Sequence, residues 1–306
     1  MRTAALLVLV LSGCSGTVAV SDAGSGDASV GADVVVPGPD ANNVDAPIGP
    51  SLSEACAALG DAVCSKLSQC SSFGLQLAYG DEATCKARSA KGCVVDYPSS
   101  SLTPSRATAC AASLGAVECS KFLLGDLGDA CNPAPGLLDN GAACIDGPQC
   151  KSTFCAKPLS DHCGMCAAPT SEGDACVNQA CSRGTACSDA TKKCAKPTSG
   201  KVGASCNGQE DCDLAHGVGC NTFSKKCIAL ALASNGKTCG ADNLVAPTKF
   251  TLCEAAGTCS AITNGTCSAA AADGASCTAG ASGPYCLGPS KCISSKCTLP
   301  DPSTCK

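Results

Sequence analysis

Tryptophan is absent from this 306-residue chain, histidine occurs only twice, and Phe and Tyr number five and three. Leu, Ile, Val and Phe together come to 51 residues, about a sixth of the total, where a long polar chain is expected to stay disordered. A hydrophobic share of 45% hides this shortage, because much of it is alanine and cysteine. So few large apolar side chains do not bury enough surface to offset the conformational entropy of folding, and something covalent must substitute. There is no excess of positive charge either: the net charge is −5 and Lys and Arg are scattered. A nucleic-acid partner is therefore not expected. The motifs Gly-x-Ser-x-Gly, the P-loop, Gly-x-Gly-x-x-Gly after a strand and His-Glu-x-x-His are all missing. An enzyme is not expected, and neither is a cofactor.

What the chain has instead is 31 cysteines, the density of disulfide-built extracellular proteins rather than of cytosolic enzymes. Met1-Arg2, the apolar run Ala4 to Leu11 and then Leu11-Ser12-Gly13-Cys14 form a secretory signal too short to span a bilayer. Those last four residues resemble a bacterial lipobox, and the resemblance implies that residues 1–13 are removed and Cys14 is lipidated. Setting Cys14 aside leaves 30 cysteines, an even number that closes as fifteen disulfides. Ser15 follows the lipidated position where an Asp would hold an enteric lipoprotein at the inner membrane, so the expected location is the outer membrane, facing either the periplasm or the cell surface. Residues 14–50 carry Asp22, Asp27, Asp33, Asp40 and Asp45 without Lys, Arg or aromatic residues. They read as a solvated acidic tether spanning roughly 35 Å, not as a calcium loop.

Residues 51–131 read as a helical module. Ser51-Leu52-Ser53-Glu54 has capping-box form, and Leu52, Cys56, Leu59, Val63, Leu67 and Cys70 fall on one helical face. Asp81 opens a second helix expected to close at Gly92, and Thr103-Pro104 begins a third. Cys56, Cys64, Cys70, Cys85, Cys93, Cys110, Cys119 and Cys131 are expected to pair among themselves across this short three-helix module.

Residues 132–306 repeat a Gly-x-x-Cys opening at Cys144, Cys176, Cys206, Cys239 and Cys277, spaced 32, 30, 33 and 38 residues apart. Such a period predicts about five tandem disulfide-rich hairpin or loop units, each leaning on its neighbours. The first holds Cys144, Cys150, Cys155, Cys163 and Cys166. The second holds Cys176, Cys181, Cys187 and Cys194, the third Cys206, Cys212, Cys220 and Cys227, the fourth Cys239, Cys253, Cys259 and Cys267. The fifth holds Cys277, Cys286, Cys292, Cys297 and Cys305. The endings SDATKKC and NTFSKKC predict small hairpins closed by a bridge. Two units of five cysteines each leave one over, so at least one bridge must cross a unit boundary.

With the LSGC lipobox, the acidic spacer, YGDEATCKAR, LTPSRATACAASL and the Gly-x-x-Cys units, the chain resembles cysteine-rich lipoproteins of myxobacteria and related bacteria. The repeat region is similar to Dickkopf-type and EGF-like modules, though a Dickkopf module has ten cysteines where these units have four or five. The resemblance implies an exported, non-enzymatic scaffold or adhesion module binding a protein or a glycan, attached to the membrane through its lipid.

Three other readings remain open at this point. Asp161-His162-Cys163-Gly164-Met165-Cys166 offers half a zinc site or a redox Cys-x-x-Cys, so His162, Cys163 and Cys166 are the metal candidates, although no second Cys-x-x-Cys exists to complete zinc. Lys192-Lys193 and Lys225-Lys226 fit the basic reactive loop of an extracellular protease inhibitor. A metal-sequestering protein would need the cysteines reduced. His216 lies in a loop with no evident nucleophile beside it, and the Asn264-Gly265-Thr266 sequon reads as coincidence.

Overall fold

The computed structural model describes residues 49–96, 103–132, 134–145, 147–156, 163–176, 181–188, 190–221, 223–243, 247–278, 283–301 and 305. The signal, Cys14 and nearly all of the tether lie outside them. Fifteen disulfides tie together a helical N-terminal part and several small sheets.

Among the described residues five helices form where three were expected. Helix α1 (Leu52–Cys70) starts at Ser51, whose hydroxyl accepts from the Glu54 N–H while the Glu54 carboxylate accepts from the Ser51 N–H at 2.8 Å. The Ser51 hydroxyl also donates to that carboxylate at 2.7 Å, and this bond, then the Ser51 N–H, hold the Glu54 carboxyl below its usual range. Helices α2 (Ser72–Tyr79), α3 (Glu82–Asp96), α4 (Pro104–Leu114) and α5 (Cys119–Leu123) follow. The sequence pattern misses α2 and α5 because they are eight and five residues long, too short to show helical periodicity. Gly92 does not end α3. It sits inside the helix, where a Cβ would come within 3.0 Å of Pro289, so it marks a close contact rather than a stop.

Helix α1 is the hub. Cys56–Cys93 and Cys64–Cys85 join it to α3; the paired positions move in opposite directions by eight residues, as antiparallel neighbours require. Gly60 lets the two backbones approach, since a Cβ there would lie 3.1 Å from the Lys86 carbonyl oxygen and the Ala90 nitrogen. Cys70–Cys119 ties the end of α1 to α5, and Cys110–Cys131 anchors α4. All eight cysteines pair among themselves, as their number and position predict. Beside them, Leu59, Val63, Leu67, Leu75, Leu114, Phe122 and Leu127 make the chain's main apolar core.

Beyond Cys131 the buried clusters are built largely of cysteine. Here the sequence motif acquires a physical meaning. The opening glycines Gly141, Gly173, Gly203, Gly236 and Gly274 all have φ between 79° and 91° with no neighbouring atom where a Cβ would go. The glycine serves backbone conformation and not space. Each of these glycine N–H groups donates to the carbonyl of a later cysteine, Cys166, Cys194, Cys227, Cys267 and Cys297 in turn, at 2.7 to 2.8 Å. Each of those cysteines returns an N–H to the residue after its glycine.

Within every quartet the first cysteine bonds the third and the second bonds the fourth: Cys144–Cys155 with Cys150–Cys166, Cys176–Cys187 with Cys181–Cys194, Cys206–Cys220 with Cys212–Cys227, Cys239–Cys259 with Cys253–Cys267, and Cys277–Cys292 with Cys286–Cys297. The hairpins form, but no bridge closes them. Cys155 faces Cys166 across the ladder, as do Cys187 and Cys194, Cys220 and Cys227, Cys259 and Cys267, and Cys292 and Cys297. Each partner instead reaches back to the opening segment, which staples three strands of chain where a hairpin bridge would staple two.

The sheets do not amount to five separate hairpins. Strands β1 (Ala143–Cys144), β2 (Cys155–Ala156) and β3 (Gly164–Cys166) make one sheet in the order β1-β3-β2. Strands β4 (Ala186–Cys187) and β5 (Cys194–Ala195) make another. Then β6 (Val218–Asn221), β7 (Lys226–Ala233), β8 (Thr238–Ala241), β9 (Lys249–Cys253), β10 (Thr258–Cys259) and β11 (Gly265–Ser268) merge the third and fourth quartets into one six-stranded sheet, order β10-β11-β8-β9-β7-β6. Its β7–β9 pair is parallel, from Ala229 opposite Lys249 to Ala233 opposite Cys253. Strands β12 (Lys291–Ile293) and β13 (Lys296–Thr298) form the last pair.

Nor does each unit lean only on its sequence neighbours. Helix α2 packs Phe73 and Leu77 against Leu214, Leu230, Leu232 and Leu252 of the six-stranded sheet region. Ser71, almost fully buried, accepts from the Gly74 N–H and donates to the Ala215 carbonyl at 2.7 Å. The carbonyls of Gln76 and Leu77, near the end of α2, receive the N–H groups of Ala255 and Ala256. Both alanines sit at positive φ, 50° and 55°, a strained arrangement that adds a second donor to the Gln76 carbonyl, already bonded by the Gly80 N–H, and supplies one to the Leu77 carbonyl at the helix end. The later units thus fold back onto the helices.

Candidate functional site

The Cys-x-x-Cys segment is taken apart by the fold. Cys166 lies in β3 and bonds Cys150, while Cys163 bonds Cys305, 142 residues later, with 5.5 Å between Cα atoms. In extended chain, residues three apart lie about 10 Å from each other, beyond the 4.4–6.8 Å that a disulfide requires. Cys163 and Cys166 therefore belong to different structural bridges. His162 lies outside the described residues. Five further cysteine triads bring sulfurs within 4.8 Å of one another: Cys144, Cys150 and Cys166 are one, and each later quartet supplies another. Every sulfur in them is already in a disulfide, which is not the thiolate that metal ligation or nucleophilic attack needs.

Cys163–Cys305 is the boundary-crossing bridge that the cysteine count demands. It joins the first unit to the last and so makes a closed loop of the array. Replacing both cysteines by serine is expected to leave the other fourteen bridges and the helices intact while lowering stability by about 2 kcal/mol, below the chain-entropy value for so long a loop because other bridges already constrain it. A thermal melt of the double variant measures this, and an unchanged midpoint would remove the clasp from any structural role.

The Lys192-Lys193 and Lys225-Lys226 segments are tight turns. Lys192 and Lys225 have φ of 55° and 53°, tight left-handed turn positions, whereas a chain lying in a protease cleft is extended like an added strand. Lys193 and Lys226 are engaged in backbone pairing at Ala175 and Ser205. His216 is exposed, and its Nδ1 is 2.8 Å from Asp213 Oδ1.

A charged cluster that the sequence pattern does not reveal joins α3 to the last unit. Arg88 makes two bonds to the Asp273 carboxylate at 2.8 and 2.9 Å, and donates to the carbonyls of Leu287 and Gly288, each at 2.7 Å, and to Ser290 Oγ. Lys91 and the Ser290 hydroxyl also bond Asp273. This planar, multiply bonded arrangement is one that arginine makes and lysine does not. The Arg88 guanidinium, then Lys91 and Ser290, hold the Asp273 carboxyl far below the ordinary carboxylate range. On the second unit, Gly184 N–H donates to the Leu124 carbonyl, and Arg183 bonds Asn132. Arg88 and Asp273 lie 185 residues apart, so no local pattern links them.

A shallow groove beside α4 and α5 is lined by Ser113, Val117, Glu118, Lys121, Asp126 and Asp129. At the β6–β7 turn, Phe223 is 84% exposed, and it alone of the five phenylalanines is exposed. Among the described residues no helix is long and apolar enough to cross a membrane.

Comparison with protein families, curated proteins and solved structures finds no match to this chain.

Proposed function

We propose that this protein is a non-enzymatic exported lipoprotein of the outer membrane, anchored through Cys14, whose helical module and disulfide units form a durable scaffold or adhesion module for a protein or glycan ligand. The observation that carries the reading is the use of cysteine. All thirty cysteines from Cys56 to Cys305 are consumed in fifteen bridges, as an oxidising compartment requires, and Cys14 stands apart, behind an apolar signal and ahead of an acidic tether. The five quartets are copies of one unit in this reading, supported by the recurring left-handed glycine, the reciprocal hydrogen bonds and the first-to-third, second-to-fourth pairing. Their mutual closure and their packing on the helices favour a compact head at the end of the Ser15–Pro50 tether over an extended rod. Metal sequestration would first require reduction of these bridges, and among the described residues the two Lys-Lys candidates for an inhibitory loop are tight turns.

Intact mass spectrometry of protein extracted from its native membrane tests this directly, with free thiols alkylated before any reduction. The expected mass begins at Cys14, carries a diacyl or triacyl modification and contains no alkylated cysteine. A chain without lipid, or one with several alkylated thiols, overturns the reading.

A further inference from the structure

We infer that the β6–β7 turn is a second membrane contact, a small apolar and cationic tip that enters the headgroup layer of an anionic lipid surface. In a chain with so few large apolar side chains, Phe223 is placed where it does nothing for the core. It is also held there. The buried Asn221 accepts the N–H groups of Phe223 and Ser224 with its side-chain oxygen and donates to the Pro247 carbonyl at 3.1 Å, so the turn is locked to the neighbouring β8–β9 connection. Lys225, at φ 53°, and Lys226 follow the tip and are both exposed; the Lys226 ammonium donates to the neutral Ser205 hydroxyl at 3.1 Å.

The carboxylates of the adjoining segments keep their charge but are each engaged within the fold. Asp211 accepts from the Asn207 and Gly208 N–H groups, Asp213 meets His216, Asp242 accepts from Thr248, and Glu210 is buried. What the turn offers outward is an exposed aromatic ring followed two and three residues later by two exposed cations. Its polar amide points inward and is used up, which leaves little with which to read a glycan by hydrogen bonds. Phe beside Lys matches a surface with anionic headgroups over hydrocarbon, where apolar insertion and attraction to anionic lipid add. The contact does not depend on the Cys14 anchor, and the test separates the two.

The absence of tryptophan supplies the probe. In the full chain carrying Cys14→Ser, Phe223→Trp introduces the sole indole. Its emission is expected to shift to the blue with vesicles of equal parts phosphatidylcholine and phosphatidylglycerol, but not with phosphatidylcholine alone. Lys225→Glu with Lys226→Glu is expected to weaken that partition roughly tenfold, as is added salt. Co-sedimentation of the Cys14→Ser chain without the Trp is expected to show the same lipid preference, and Phe223→Ser to lose it. A water-like emission in the presence of anionic vesicles, equal binding to both vesicle types, or no co-sedimentation overturns the inference. A blue shift that appears with protein concentration and no vesicles assigns the turn to a second copy and likewise overturns it.

Discussion

Full reduction and alkylation in the absence of denaturant is expected to raise the rate of proteolysis of residues 132–306 by at least about a thousandfold. The reason lies in what the bridges replace. The third quartet is centred on a buried cluster of only Cys206, Cys212, Cys220 and Cys227, and the first and fourth are similar. Each unit holds two crossed bridges. At about 2–4 kcal/mol per bridge, losing both costs some 4 kcal/mol or more, which is a factor of about a thousand in the open population where cleavage follows the opening equilibrium. The helices keep Leu59, Val63, Leu67, Leu75, Leu114 and Phe122 buried together, so residual helical circular dichroism should outlast the β signal. A rate rise below tenfold would mean that the fold is held by something other than its disulfides.

The second large effect is expected at Arg88. Arg88→Ala removes the group that bonds Asp273, Leu287, Gly288 and Ser290 at once, from a side chain only 14% exposed. It should destabilise the docking of the last unit on α3 by about 3 kcal/mol, the scale for breaking one side of a partly buried charged network. Arg88→Lys should recover only part of it, lacking the planar fork. Hydrogen exchange in 285–298 measures the change, and protection unaltered by Arg88→Ala would dismiss the clamp.

The same cluster sets a pH dependence. The Asp273 carboxyl is depressed below its ordinary value of 3.8 in the folded chain, so its contribution is complete above the unfolded-state value and is lost as pH falls towards the folded one. Stability of the last unit should therefore decline from about pH 4 downwards. Asp273→Asn should be less stable at neutral pH and should lose that acid limb.

Much of this architecture is legible in the residues. Ser51 with Glu54, and Thr103 with Pro104, mark helix starts because capping acts within the first helical turn. Five Gly-x-x-Cys openings give the period because each glycine meets the same backbone requirement. An even count after Cys14 implies closed bridges, and two five-cysteine units imply a crossing one. Those conclusions rest on local chemistry and on counting.

What the tertiary structure decides is which distant groups meet. Nothing near Cys163 names Cys305 as its partner, and Cys-x-x-Cys leaves a metal or redox site open beside the structural bridges until an extended β3 places its two sulfurs in different bridges. Gly92 looks like a helix stop until Pro289 is seen to need its missing Cβ. Short α2 leaves no periodic trace, yet it is the helix that seats the six-stranded sheet. Arg88 and Asp273 are ordinary surface charges by sequence, and become a clamp only when the last unit folds back against α3. Composition and spacing dictate bridges, caps and turns, because those act over a few residues. Pairing across more than a hundred residues depends on the whole chain's path, and that path is decided by packing.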